Sequence, residues 1–253
     1  MERVPVRQVG VFVLFLLAWA ATTQFGGVSP STLPPVTDVA GALLGLWGDP
    51  AFLPSILRTV RDALTGLMIA TVLGIAAGVV IGTSPWLERS TRLLVDFGRS
   101  FPQIALLPIF LIAFGATSTM KIVLVSIACF FPVLLQTIYG ARRLDETMAD
   151  TVRAYRLPMA LRVWKVTIPA ASPFIFTGFR IALIVSILVA IGVEILSQVE
   201  GMGRQLAEAR NFYRTDIAFA YAIYAGLLGV LVNAAADRVE VALLGWHLRS
   251  QEA

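Results

Sequence analysis

Charge, cysteine and histidine are all scarce in this chain. Of 253 residues, 14% are charged and 57% are hydrophobic, and the mean hydropathy is +0.80. Soluble domains carry about 25% charged and roughly 45–50% apolar residues, so an ordinary soluble core cannot absorb this composition. The single cysteine, Cys129, lies in an apolar run and excludes an internal disulfide or a cysteine metal cluster. With one histidine, His247, neither a His-based metal site nor a Ser-His-Asp triad is easily assembled. There is no Gly-x-x-x-x-Gly-Lys-[Ser/Thr] phosphate loop, which argues against ATP binding by this chain alone. Gly201-Met202-Gly203 has no strand before it and is not a nucleotide fingerprint. Internal repeats and low-complexity tracts are missing too. The net charge of +4 is spread between apolar runs and forms no block, which points to lipid headgroups and away from nucleic acid.

What the chain has instead is long apolar runs. About 20 mostly apolar residues cross a bilayer as a helix. Six candidates stand out: Val9–Phe25, Val60–Gly82, Phe101–Gly115, Lys121–Tyr139, Phe174–Leu196 and Ile217–Leu244. The third is short and is expected to begin near Leu93; the last is long enough to hold a break. Arg3 and Arg7 followed by Ala18-Trp19-Ala20 also fit a cleavable secretory signal, but the five spans behind it favour an uncleaved first helix. With the N-terminus inside, thirteen of the 20 Lys and Arg residues fall in inside segments and six outside, with Arg180 in a span. Lys121 is counted among the outside charges. The positive-inside bias therefore places both termini, and the Gly140–Pro173 loop, in the cytoplasm.

Features within and between the spans carry further expectations. The stretch from Gly26 to Ser55 is rich in Pro, and Val36 to Trp47 within it forms a short interfacial helix with Val39, Leu43, Leu44 and Trp47 on one side. Gly66, Gly74, Gly78 and Gly82 share a helix face and read as a packing seam. Pro102, Pro108 and Pro132 are candidate helix breaks. Charges inside spans face protein or water. Arg180 and Glu194 share the fifth span, about 21 Å apart, too far to pair. For each, a pathway or gate role stands beside a structural one: Arg180 snorkelling or holding the loop, Glu194 fixing the Gly201 turn. Gln103, Ser126 and Gln136 are pathway candidates or interhelical hydrogen bonds. Arg61 attracts an anionic substrate, or, the favoured reading, makes a local ion pair beside Asp62 or a lipid headgroup contact.

The loop from Gly140 to Pro173 is the most telling segment. It is long, basic and helix-forming, whereas most connections are short. Ala154, Tyr155, Leu157, Leu161 and Trp164 offer an apolar surface flanked by Arg153, Arg156, Arg162 and Lys165. Such a loop suits docking of a soluble partner; the alternative is that Tyr155, Leu161 and Trp164 pack back on the chain, the favoured reading for Trp164.

Several landmarks together resemble the permease subunit of a type I binding-protein-dependent ABC importer, of the nitrate, sulfonate and taurine branch. They are Leu33-Pro34-Pro35 with Val39, Phe101-Pro102-Gln103-Ile104-Ala105-Leu106-Leu107-Pro108 with Phe114-Gly115, Phe130-Phe131-Pro132 with Tyr139-Gly140, the run Ile168 to Arg180, and Glu194 before Gly201-Met202-Gly203. The resemblance spans about Leu33 to His247. It implies an all-α polytopic membrane protein with about six transmembrane helices and a cytoplasmic coupling helix. Residues 1–56 would hold the first helix and the outer amphipathic segment, 57–247 the five-helix permease core, and 248–253 a cytoplasmic tail.

In that family the loop carries a Glu-Ala-Ala triplet before a Gly, with a Pro further on. Counting thirteen positions back from Pro169 puts Arg156 at the Gly and Asp150-Thr151-Val152 at the triplet. The chain departs from the pattern at its best-known residues, so the turn is expected to relax or to move toward Pro158. The resemblance implies ATPase coupling through Asp150, Arg153, Ala154, Tyr155, Arg156, Leu157, Pro158 and Leu161, and a pathway or gate at Gln103, Gln136, Arg180 and Glu194. It implies no catalytic or metal site and no cofactor in this chain, with ATP and Mg held by separate ATPase subunits. The expected partners are a second permease subunit, identical or different, two ABC ATPase subunits, an external solute-binding protein and the bilayer of a bacterial inner membrane. The competing reading is a secondary transporter or channel that works without ATP; the lack of a convincing inverted repeat and the few buried acidic groups available for ion coupling weigh against it.

Overall fold

The computed structural model describes residues 6–143, 152 and 154–251. The apolar runs become helices because a helix satisfies its own backbone groups where water is absent. In chain order they are α1 (Val6–Phe25), α2 (Val36–Gly45), α3 (Phe52–Gly82), α4 (Pro85–Ser100), α5 (Leu107–Phe114) and α6 (Ser118–Arg142). After the loop come α7 (Met159–Arg162), α8 (Ile168–Ser197), α9 (Met202–Asn211) and α10 (Thr215–Gln251). Five of the described helices are long and apolar enough to cross a membrane, or six if the bent pair α4–α5 counts as one span.

Helices α3, α6 and α8 form the core, joined by α10. Ala63, Leu67 and Ala70 of α3 meet Val125, Cys129 and Val133 of α6, and Ala182, Leu183, Ile187 and Ala190 of α8 close the cluster. Small residues bring these helices together, since in lipid close backbone approach supplies the packing that hydrophobic exclusion supplies in water. A Cβ at Gly66 would meet Val125 at 2.7 Å, and one at Gly74 would meet Val133 at 2.9 Å. Gly78 lies on Thr137 and Gly82 on Ala141, so the predicted glycine seam is the α3–α6 contact. The α6–α8 contact repeats the device: Gly140 lies against Ala171 and Phe174, and Gly178 against Pro132, Val133 and Gln136.

The third span differs from its sequence reading. A helix does begin before Leu93, at Pro85, behind the side-chain cap of Ser84. It ends at Ser100, because Phe101 precedes Pro102 and both adopt extended backbone. The chain restarts after a bend of 83°. The eight residues of α5 reach only about 12 Å at 1.5 Å per residue and cannot cross alone. Pro132, by contrast, sits inside a continuous α6 and breaks nothing. The last helix is also unbroken through Gln251.

At the end of the core remote from the 152–167 loop, the Pro-rich segment folds onto α10. The interfacial helix expected over Val36 to Trp47 forms as α2 plus a 3-10 turn at Leu46–Gly48. Val39 and Leu46 pack inward, while Leu44 is 77% exposed. Trp47 keeps a largely exposed ring but donates from Nε1 to the Tyr224 hydroxyl at 2.8 Å, which in turn donates to the Leu43 carbonyl at 2.8 Å. Phe52, Tyr221 and Tyr224 complete an aromatic cluster there. Helix α1 is peripheral and fastened near its C-terminal half, where Trp19 donates to the Pro34 carbonyl and packs on Phe219.

Candidate functional site

Among the described residues, polar groups gather at opposite ends of the α3–α6–α8 core. The first is the loop. Of the residues assigned to it from sequence, Asp150 and Arg153 lie outside the described residues. Val152 is buried, and its carbonyl accepts from Leu157 N–H at 3.3 Å, closing a turn over Ala154, Tyr155 and Arg156. Arg156 takes φ +46°, one of three non-glycine residues with positive φ among those described. The turn has therefore neither relaxed nor moved to Pro158: the arginine itself adopts the left-handed conformation that glycine takes without cost. Pro158 follows in extended backbone and starts α7.

From Ala154 onward the loop turns its apolar side outward. Tyr155 is 77% exposed and Trp164 70%, and Leu161 and Met159 are exposed as well. Trp164 does not pack back on the chain, contrary to the reading favoured from sequence. A π-helical turn, Val163–Thr167, joins α7 to α8 and lets the helix continue through Pro169 near its start. Arg156, Lys165 and Ala154 share the exposed surface.

The second place is a closed cluster of charges at the far end. Lys121 of α6, Asp62 of α3 and Glu194 of α8 are each completely buried. The Lys121 ammonium lies 2.7 Å from Glu194 Oε1, 2.9 Å from Asp62 Oδ2 and 3.0 Å from the Glu200 carbonyl. It donates hydrogen bonds to Glu194 Oε1 and the Glu200 carbonyl, and meets Asp62 as an ion pair. Thr59 donates to Glu194 and accepts from Met202 N–H at 2.9 Å, and Glu194 Oε2 accepts from Gly203 N–H at 2.9 Å. A Cβ at Gly201 would fall on the Glu194 carboxylate, and one at Gly203 would meet Glu194 Cβ at 2.8 Å, so both positions require glycine for this approach. Arg61, two-thirds exposed, reaches Asp62 Oδ1 at 2.8 Å from the surface. The cluster is balanced in charge, two cations and two carboxylates, although Asp62 Oδ2 has the Lys121 ammonium beside it without a hydrogen bond. It ties three core helices to the turn that starts α9.

Sequence reasoning set Lys121 at the outer boundary of the fourth span and counted it as an outside charge; the structure places it within the helix and fully buried. Thr117 caps α6 by accepting from Met120 N–H, which puts Lys121 inside the first turn of the span. The available signal was the sign and depth of three charges: Asp62, Lys121 and Glu194 lie near the same end of three apolar runs, and opposite charges in spans pair.

The remaining candidates go elsewhere. The Arg180 guanidinium pairs with Asp237 at 2.7 Å and Glu240 at 3.3 Å, both on α10. Gln103 donates from Nε2 to the Gly98 carbonyl at 3.2 Å and so bridges the α4–α5 bend. Gln136 lies under Gly178 in the α6–α8 contact, and Ser126 donates to the Ile122 carbonyl in its own helix. The four residues grouped from sequence as pathway or gate are thus not brought together at one site.

Comparison with known proteins agrees with this architecture. The taurine transport system permease protein TauC of Escherichia coli (strain K12) is 27% identical over 244 residues, covering 94% of this chain and 89% of that protein. The nitrate import permease protein NrtB of Leptolyngbya laminosa is 30% identical over 179 residues, 71% of this chain and 64% of that protein. Among solved structures, the MetNI methionine ABC transporter in inward-facing conformations superposes with a TM-score of 0.68 at 19% identity, covering 76% of this chain and 95% of that one, which shows a shared fold. Residues 70–244 match the family described as binding-protein-dependent transport system inner membrane component. The chain belongs to that family and is a membrane-spanning permease subunit of an ABC importer.

Proposed function

We propose that this permease moves a small anion, of the class that includes sulfonates such as taurine and nitrate, and that the 152–167 loop is where ATP hydrolysis in partner subunits acts on it. The observation that carries the coupling half is the outward-turned apolar side of that loop, with Tyr155 and Trp164 exposed beside Arg156 and Lys165. Large apolar rings on a loop gain nothing in water, and they suit a groove on a soluble protein with an acidic rim. The anion half rests on the relatives TauC and NrtB, whose names give taurine and nitrate.

In this reading the loop end is cytoplasmic, both termini are inside, and the Lys121 cluster lies at the periplasmic end. Two ATPase subunits dock on two permease subunits, and an external binding protein delivers the solute. Asp150, Arg153, Ala154, Arg156, Leu157, Pro158 and Leu161 would form the docking surface with Tyr155. The chain itself performs no catalysis and needs no cofactor; ATP and Mg belong to the ATPase. Solute and nucleotide act only through their different affinities for the outward- and inward-open states.

The test is ATPase activity of the reconstituted complex, with binding protein and candidate solutes added one at a time. Stimulation by a sulfonate or nitrate, lost in Arg156→Glu with Trp164→Ala, is expected. Uptake that proceeds without ATP, or an ATPase that co-purifies equally with that double variant, would overturn the reading.

A further inference from the structure

Helix α4 carries 16 residues and none of its side chains is buried. Its polar face lines a cleft of about 370 Å³ against α3 and the loop end of α6. The charged groups in that cleft are Arg92, Arg99, Arg142, Glu88 and Asp96, with the hydroxyls of Thr91 and Tyr139 beside them. Arg99 and Arg92 both meet Asp96 through Nε, at 3.0 and 3.9 Å, and Arg142 meets Glu88 through one terminal nitrogen. A guanidinium presents five donors in a rigid fork, so each of these contacts leaves donors for a second acceptor. Tyr139 and Arg142 also open onto a neighbouring depression, where Arg143 stands 5.4 Å above the Phe174 ring. The other side of α4 is apolar and exposed: Trp86, Leu93, Leu94 and Phe97.

An arginine-lined cleft bordered by an exposed apolar strip matches one kind of molecule, a phosphate group carrying hydrocarbon chains. We propose that this cleft binds the headgroup of an anionic phospholipid, held by Arg92, Arg99 and Arg142, with its acyl chains along Leu93, Leu94 and Phe97. Basic clefts between helices on the cytoplasmic side take such headgroups through charge, and tryptophan favours the same interfacial depth. A soluble anion would use the arginines but leave the apolar strip without a role. The bound lipid would complete the packing of α4, the helix that enters the broken span. The inner-leaflet assignment rests on the orientation proposed above; the cleft and its chemistry do not.

The experiment is native mass spectrometry of the full-length chain, purified with its co-purifying subunits, titrated with phosphatidylglycerol or phosphatidylethanolamine. Phosphatidylglycerol is expected to remain bound and phosphatidylethanolamine to be lost, with affinity falling about fivefold in each of Arg92→Gln and Arg99→Gln. Arg92 is largely exposed, so its variant should melt like the parent in lipid-free detergent. Equal retention of the two lipids, or unchanged retention in both variants, would overturn the site. Displacement of the lipid by inorganic phosphate would overturn the lipid in favour of a soluble anion. Separately, Ser90→Cys should react with an impermeant maleimide only in inverted vesicles; labelling from outside would reject the leaflet and leave the binding result standing.

Discussion

The ammonium of Lys121 sits 2.7 Å from the Glu194 carboxylate, across 73 residues of sequence and with neither group touching solvent. Removing one member of a buried ion pair strands the other, at a cost of about 3–5 kcal/mol. Lys121→Met leaves both Asp62 and Glu194 without their shared cation. We expect a loss of that size in thermal or denaturant stability of the purified protein. Adding Glu194→Gln should return much of it, because Arg61 still serves Asp62. A single variant within about 1 kcal/mol of the parent, or a double variant that is simply additive, would contradict the closed cluster.

The glycine seam gives a sharper steric test. Gly74→Ala would drive a methyl into Val133 and the Leu134 backbone, and Gly66→Ala would do the same at Val125 and the Ile122 carbonyl. Overpacking of this kind costs about 1–3 kcal/mol. Gly41→Ala, on an open face of α2 with nothing within 4 Å, should be neutral or slightly stabilising. Melting temperatures of the three variants, measured side by side, decide it; equal shifts would refute the α3–α6 seam.

Arg156 holds a left-handed turn with a side chain that disfavours it, at a cost of order 1–3 kcal/mol. Arg156→Gly should relieve the strain and leave the loop fold intact, shown by unchanged or slower proteolysis of the loop. Arg156→Val, a β-branched residue at positive φ, should speed that cleavage. Faster cleavage of the glycine variant than of the valine variant would mean that the turn is not left-handed.

Arg180 offers the contrast to Lys121. Its pairs with Asp237 and Glu240 are partly exposed, and such pairs contribute only about 0–1 kcal/mol. Arg180→Leu should therefore change stability by no more than about a third of the Lys121→Met effect, and its small effect should shrink further in high salt. A loss as large as that of Lys121→Met would show that Arg180 is buried in the assembled transporter.

Several elements were legible in the residues before any coordinates. The apolar runs, the Val36–Trp47 helix and the spacing of Gly66, Gly74, Gly78 and Gly82 each follow from local periodicity, which a helix converts directly into a face. The landmarks from Phe101-Pro102 to Gly201-Met202-Gly203 pointed to the family for a related reason: they mark bends and turns, whose residue requirements are local. The loop between α6 and α8 stood out by length and charge alone.

What the chain order could not supply is which charges meet. Lys121 stood at the outer boundary of its span, the α10 partners of Arg180 went unnamed, and Trp164 looked like a ring that folds back on the core. Each of these depends on how separate helices rotate and slide against one another. A lysine one turn inside a helix becomes the centre of a buried cluster only when α3 and α8 present Asp62 and Glu194 at its depth. Helix formation is decided within a few residues along the chain, whereas the pairing of buried charges is decided by close packing at glycines between helices, and only the assembled core sets that register.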